Sequence, residues 1–107
     1  MNAKEYLKQI KKIDTQIKNK NFELNQLKEN QLPTAAVFEE LSKLYGEKRK
    51  IIKQIEQLPE AEYDVLHKIY VQGETPQEVA ADRGISRRKV DGIHGSALSR
   101  LESIIKS

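Results

Sequence analysis

The chain has 107 residues, enough for one small domain or a domain with an appendage, and its net charge of +3 rules out a histone-like polycation. It lacks cysteine, which excludes disulfides, thiolate metal sites and cysteine nucleophiles, and its two histidines, His67 and His94, have no ligand partner at metal spacing. No apolar run approaches the roughly 20 residues of a membrane span and the opening residues carry no apolar signal core, so the expectation is a cytoplasmic protein with no membrane partner and no cofactor.

Residues 2–30 predict the first long helix. Leu7, Ile10, Ile13, Ile17, Leu24 and Leu27 recur at mostly three-and-four spacing, and Lys20 fills the heptad position between Ile17 and Leu24. The stripe is narrow, closer to a coiled-coil seam than to a globular face. Pro33 breaks the pattern, because proline disfavours helix in the residue before it. A second helix is predicted over 34–58, with Val37, Phe38, Leu41, Leu44, Tyr45, Ile51, Ile52, Ile55 and Leu58 inward. Lys48 interrupts this stripe, and Gly46 weakens it by about 1 kcal/mol relative to alanine.

Two such helices with a short break fold back most simply as an antiparallel hairpin. Narrow seams leave apolar edges, and with a third of the residues charged the core is thin. Self-association, or packing on the C-terminal helices, is therefore expected. Residues 1–58 carry 12 cations against eight acids, which raises a basic RNA-binding helix as an alternative. The interleaving of both signs reads instead as a solvated coiled-coil surface.

Pro59 followed by acids opens a third helix, to about Val71, that buries Ala61, Val65, Leu66, Ile69 and Tyr70. Glu60, Glu62 and Asp64 are adjacent and expected to be exposed, and the helix dipole explains them without catalysis. His67 reads as a surface or half-buried helix residue. Gln72, Gly73 and Glu74 then turn the chain.

The remaining stretch is two helices joined by a tight turn. Thr75 caps the first and Pro76 takes its first helical position. Gly84 supplies the left-handed stop, Ile85 plugs the turn and Ser86 caps the next helix. Val90, Ile93, Ala97, Leu98 and Leu101 form one apolar face, and Arg87, Arg88 and Lys89 open the other. Cations at a helix start oppose the macrodipole, so helix stability did not place them. Residues 59–82 hold one lysine against six acids, whereas residues 83–107 hold six cations against two. This pattern points to a helix-turn-helix whose second helix enters a DNA major groove N-terminus first. His94, close to the basic turn, is a further candidate contact, and Arg100 a candidate for positioning on the backbone.

The segment LPEAEYDVLHKIYVQGETPQEVAADRGISRRKVDGIHGSALSRLESI resembles region 4 of bacterial primary sigma factors. It resembles more closely a family of small phage and prophage proteins of Gram-positive bacteria, taken to be transcriptional regulators, which join a sigma-like C-terminal module to a helical N-terminal part. The likeness is strongest over 55–105, and the opening MNAKEYLKQIKKIDTQIKNK also fits. The resemblance implies DNA-facing roles for Arg87, Arg88, Lys89, Asp91, Gly92 and Ser96, and phosphate-facing roles for Thr75 and Gln77. Arg88, Asp91 and Gly92 depart from the residues typical of primary sigma factors, so the docking mode carries over and the promoter sequence does not. Gly92 has no side chain to read a base, and Asp91 would accept from a cytosine amino group or from a neighbouring arginine.

The expectation is thus an all-α chain: a hairpin arm over 1–58 that dimerises the protein, then a sigma-region-4-like module over 59–107 that binds double-stranded DNA. RNA polymerase is a further candidate partner. The alternatives are a DNA-packaging protein of the small-terminase kind and an adaptor that binds polymerase alone. No nucleophile, base or metal constellation suggests an enzyme.

Overall fold

The computed structural model describes residues 2–106, and every regular element in that range is helical. α1 spans Ala3–Glu29, α2 Ala35–Ile55, α3 Glu60–Leu66, α4 Pro76–Arg83 and α5 Arg87–Ile105. The last turn of the third helical segment, His67–Val71, is a π-helical turn, closed by the Gln72 N–H donating to the His67 carbonyl at 3.0 Å. Gly73, at φ 74°, then reverses the chain in a conformation costly for other residues.

α1 and α2 form the expected antiparallel hairpin. Lys20 pairs with Glu40, Asp14 pairs with Lys48 at 2.7 Å, and the Lys28 ammonium lies over the Phe38 ring. Later positions on α1 meet earlier ones on α2, which fixes the antiparallel sense. Lys20 and Lys48, which interrupt the two stripes, are therefore each neutralised across the seam. α2 ends at Ile55, three residues before the predicted limit, because Pro59 disfavours helix just ahead of it.

Two residues predicted to face inward do not. Phe38 and Tyr45 are 48% and 46% exposed. A residue next in sequence to buried Val37 is rotated about 100° around the helix. With one neighbouring helix to cover it, α2 buries only a narrow arc and leaves that flank open.

The arm is docked on the module rather than swinging free. Ala3, Leu7 and Ile10 of α1 share one continuous core with Ile51 and Ile55 of α2, Leu66 of α3, and Ala97 and Leu101 of α5. Leu7, Ile10, Ile55, Leu66 and Leu101 are fully buried, so truncating any one to alanine costs about 2–5 kcal/mol. α5 also runs one turn past Leu101, and Ile104 and Ile105 pack against this core. A second cluster, Val65, Val79, Ala80 and Val90 with Ile69, Ile85 and Ile93 against it, holds α3, α4 and α5 together. No helix among the described residues is long and apolar enough to cross a membrane.

Candidate nucleic-acid interface

The geometry of the α4–α5 unit follows from its caps. The Thr75 hydroxyl accepts from the Glu78 N–H at 3.2 Å, and the Glu78 carboxylate accepts from the Thr75 N–H at 3.0 Å, a reciprocal capping box. Gly84 ends α4 at φ 65°, and the Ile85 N–H donates back to the Ala80 carbonyl at 3.0 Å. Ile85 thereby turns into the space between α3, α4 and α5. The Ser86 hydroxyl accepts from the Lys89 N–H at 3.1 Å and starts α5.

This turn presents Arg87, Arg88 and Lys89 to solvent on the first turn of α5. Arg88 and Lys89 form no ion pair with any described residue. The Arg87 Nε donates to the Asp91 carboxylate at 3.2 Å, with both side chains more than half exposed. Such a pair contributes under about 1 kcal/mol, so Arg87 exchanges it readily for a phosphate or base edge. Of the two roles open to Asp91, the unbound chain shows acceptance from the neighbouring arginine. Gly92 and Ser96 are exposed on the same helix, and a Cβ built on Gly92 would meet nothing within 4 Å. Ser96 and Lys89 line a shallow groove with Pro59, Ala61 and Glu62, facing the start of α3. Thr75 and Gln77 are exposed at the start of α4.

Two of the predicted contacts have partners within the module. His94 turns inward, where its Nε2 lies 2.8 Å from the Tyr70 hydroxyl and the two rings stack with centroids 5.7 Å apart. Burial, then the charge of Lys4, hold its pKa below the ordinary value against an opposing pull from Asp91. Its packed position thus disfavours the charged form of the ring. Arg100 folds back on α3, its Nε donating at 3.0 Å to Glu62, whose side chain is only 12% exposed.

The acids of 59–82 are not merely dipole partners. Asp64 accepts from Arg83 at 2.7 Å, Glu60 adds contacts at 3.4 and 3.5 Å, and Lys68 lies between Asp64 and Asp82. Much of the charge segregation seen in sequence is therefore consumed inside the module. Within the module, the cations left without an ion pair among the described residues, Arg88 and Lys89, stand at the start of α5. Its exposed cations on a capped helix, set by a tight glycine turn against α4, define a helix-turn-helix DNA-binding module.

Residues 55–102 match the protein family Sigma-70, region 4. The chain therefore carries a sigma-region-4-like helix-turn-helix, which supports a DNA-binding regulatory role. Comparison with curated proteins and with solved structures gives no match.

Proposed function

We propose that the protein is a sequence-specific transcription regulator of phage or prophage origin that binds double-stranded DNA as a cytoplasmic homodimer. One observation carries the reading: Arg88 and Lys89 stand exposed and unneutralised, with Arg87 loosely held beside them, at the N-terminal turn of a Ser86-capped helix. That turn enters the major groove, which is about 12 Å wide and admits a helix. Arginines there reach guanine O6 and N7, and the bare backbone at Gly92 allows close approach. Thr75 and Gln77 face phosphates and set the docking angle, and Ser96 faces the DNA from α5. Arg100 and His94 hold α5 on its scaffold and take no part in readout. The role is one of binding, without catalysis or cofactor.

The exposed flank of Phe38 and Tyr45, seven residues apart on α2, supports self-association through the arm. A two-fold dimer requires half-sites about 34 Å apart or a multiple of that. Contact with RNA polymerase belongs to the same reading, supported by the match to Sigma-70, region 4. Selection from randomised duplexes tests the proposal. The wild type enriches a defined sequence, and Arg87→Ala with Arg88→Ala abolishes that enrichment while the thermal unfolding curve stays within about 0.5 kcal/mol. Retained enrichment by the double variant refutes it.

A further inference from the structure

We infer that Lys4, Lys8 and Lys11 of α1 form a second phosphate-binding surface, continuous with the helix-turn-helix, that grips the DNA backbone beside the recognised site. The inference rests on the DNA reading above.

The three lysines recur at spacings of four and three, which places them on one face of α1, and Lys18 extends the row. All are exposed, and none forms an ion pair with any described residue. Their situation contrasts with Lys20 and Lys48, which are paired across the hairpin seam. The two acids in the same stretch are otherwise engaged. Glu5 sits in the N-terminal cap with Asn2, and Asp14 holds Lys48. Lys4 in the first turn also opposes the helix dipole, so helix stability does not account for it.

The row lies against the module. Lys8 and Lys11 line one side of a groove whose other wall is Ile69, Tyr70, Val71 and Gly73, the segment leading into Thr75. Lys4 is close enough to α5 for its charge to depress His94. The lysines cannot swing away, because Ala3, Leu7 and Ile10, each one residue before a lysine and so about 100° around the helix from it, are locked in the shared core. From Lys4 to Lys11 the helix advances about 10 Å, at about 1.5 Å per residue. That length spans about three phosphates of one strand, at about 3.4 Å of axial rise each.

The salt dependence of binding by the 107-residue chain tests this, with a random-sequence duplex of about 30 base pairs, roughly three helical turns, as probe. Each phosphate contact contributes about 0.9 to the slope of log affinity against log salt. The triple variant Lys4→Ala, Lys8→Ala, Lys11→Ala should lower the slope by up to about 2.7. A charge-matched control in α2, Lys43→Ala, Lys50→Ala, Lys53→Ala, should leave it unchanged. A wild-type slope in the α1 variant, or equal reductions in both variants, overturns this inference while leaving the helix-turn-helix assignment standing. Failure of the wild-type protein to bind DNA at all overturns both.

Discussion

Gly92 is a position where one substitution tests stability and another tests DNA binding. It lies inside α5 with its position exposed and nothing within 4 Å of an added Cβ. Gly92→Ala therefore introduces no clash and removes the entropic weakness of glycine in a helix, a gain of about 1 kcal/mol. In a chain of this size that raises Tm by about 4 °C. Gly46 in α2 has the same free space, so Gly46→Ala should gain a similar amount by the same physics. The two sites part company on DNA. If the helix backbone at Gly92 approaches the groove floor, a long side chain there holds α5 off. Gly92→Leu should then bind at least about tenfold more weakly, a loss of about 1.4 kcal/mol, while Gly46→Ala binds like the wild type. Scanning calorimetry and fluorescence anisotropy on the same preparations give both numbers. A Gly92→Leu protein with wild-type affinity would show that this face of α5 lies outside the interface. A Gly92→Ala protein without a gain in Tm would show that the position is not a free helical one.

Other substitutions separate packing from recognition. Arg83→Met removes the contacts with Asp64 and Glu60, and it should lower unfolding stability by about 1–2 kcal/mol, between the worth of an exposed and a buried pair. Its salt slope for DNA should not move, and a reduction near 0.9 would instead put Arg83 on a phosphate. His94 binds its proton less readily folded than unfolded, with Lys4, Asp91 and Tyr70 around it. Its contribution to stability is therefore level above the ordinary value of 6.5 and falls as pH drops through and below it. Unfolding midpoints between about pH 7.5 and 5 should show that fall, and His94→Gln should flatten it; an unchanged profile in the variant contradicts the packed placement. Phe38→Glu with Tyr45→Glu should reduce the particle mass from dimer to monomer in light scattering. A wild-type monomer would refute dimerisation through the arm.

The elements that sequence reveals here are those set by neighbours close along the chain. Thr75, Pro76, Gly84 and Ser86 mark the ends of α4 and the start of α5 because capping is a matter of three or four residues. The hairpin is equally legible, since its stripes repeat locally and Pro33 interrupts them. What pattern alone misses is long-range. Arg100 looks like a phosphate ligand until α3 brings Glu62 to it across 38 residues, and the pairing of Arg83 with Asp64 across 19 residues is equally invisible to local pattern. His94 looks exposed beside its basic neighbours until the π-helical turn delivers Tyr70. Phe38 and Tyr45 fit an apolar stripe, but a hairpin offers a single covering helix. The basic row on α1 is visible as spacing, yet its bearing on DNA emerges only when the arm docks beside the loop preceding Thr75.

The central claim is that the start of α5 reads DNA, and the most direct measurement is binding of the 107-residue chain to its selected duplex over a range of salt concentrations. The account predicts preference over random duplex, an affinity falling linearly with log salt, and loss of the preference in Arg87→Ala with Arg88→Ala. Equal affinity for selected and random duplexes, or an intact preference in that variant, would contradict it.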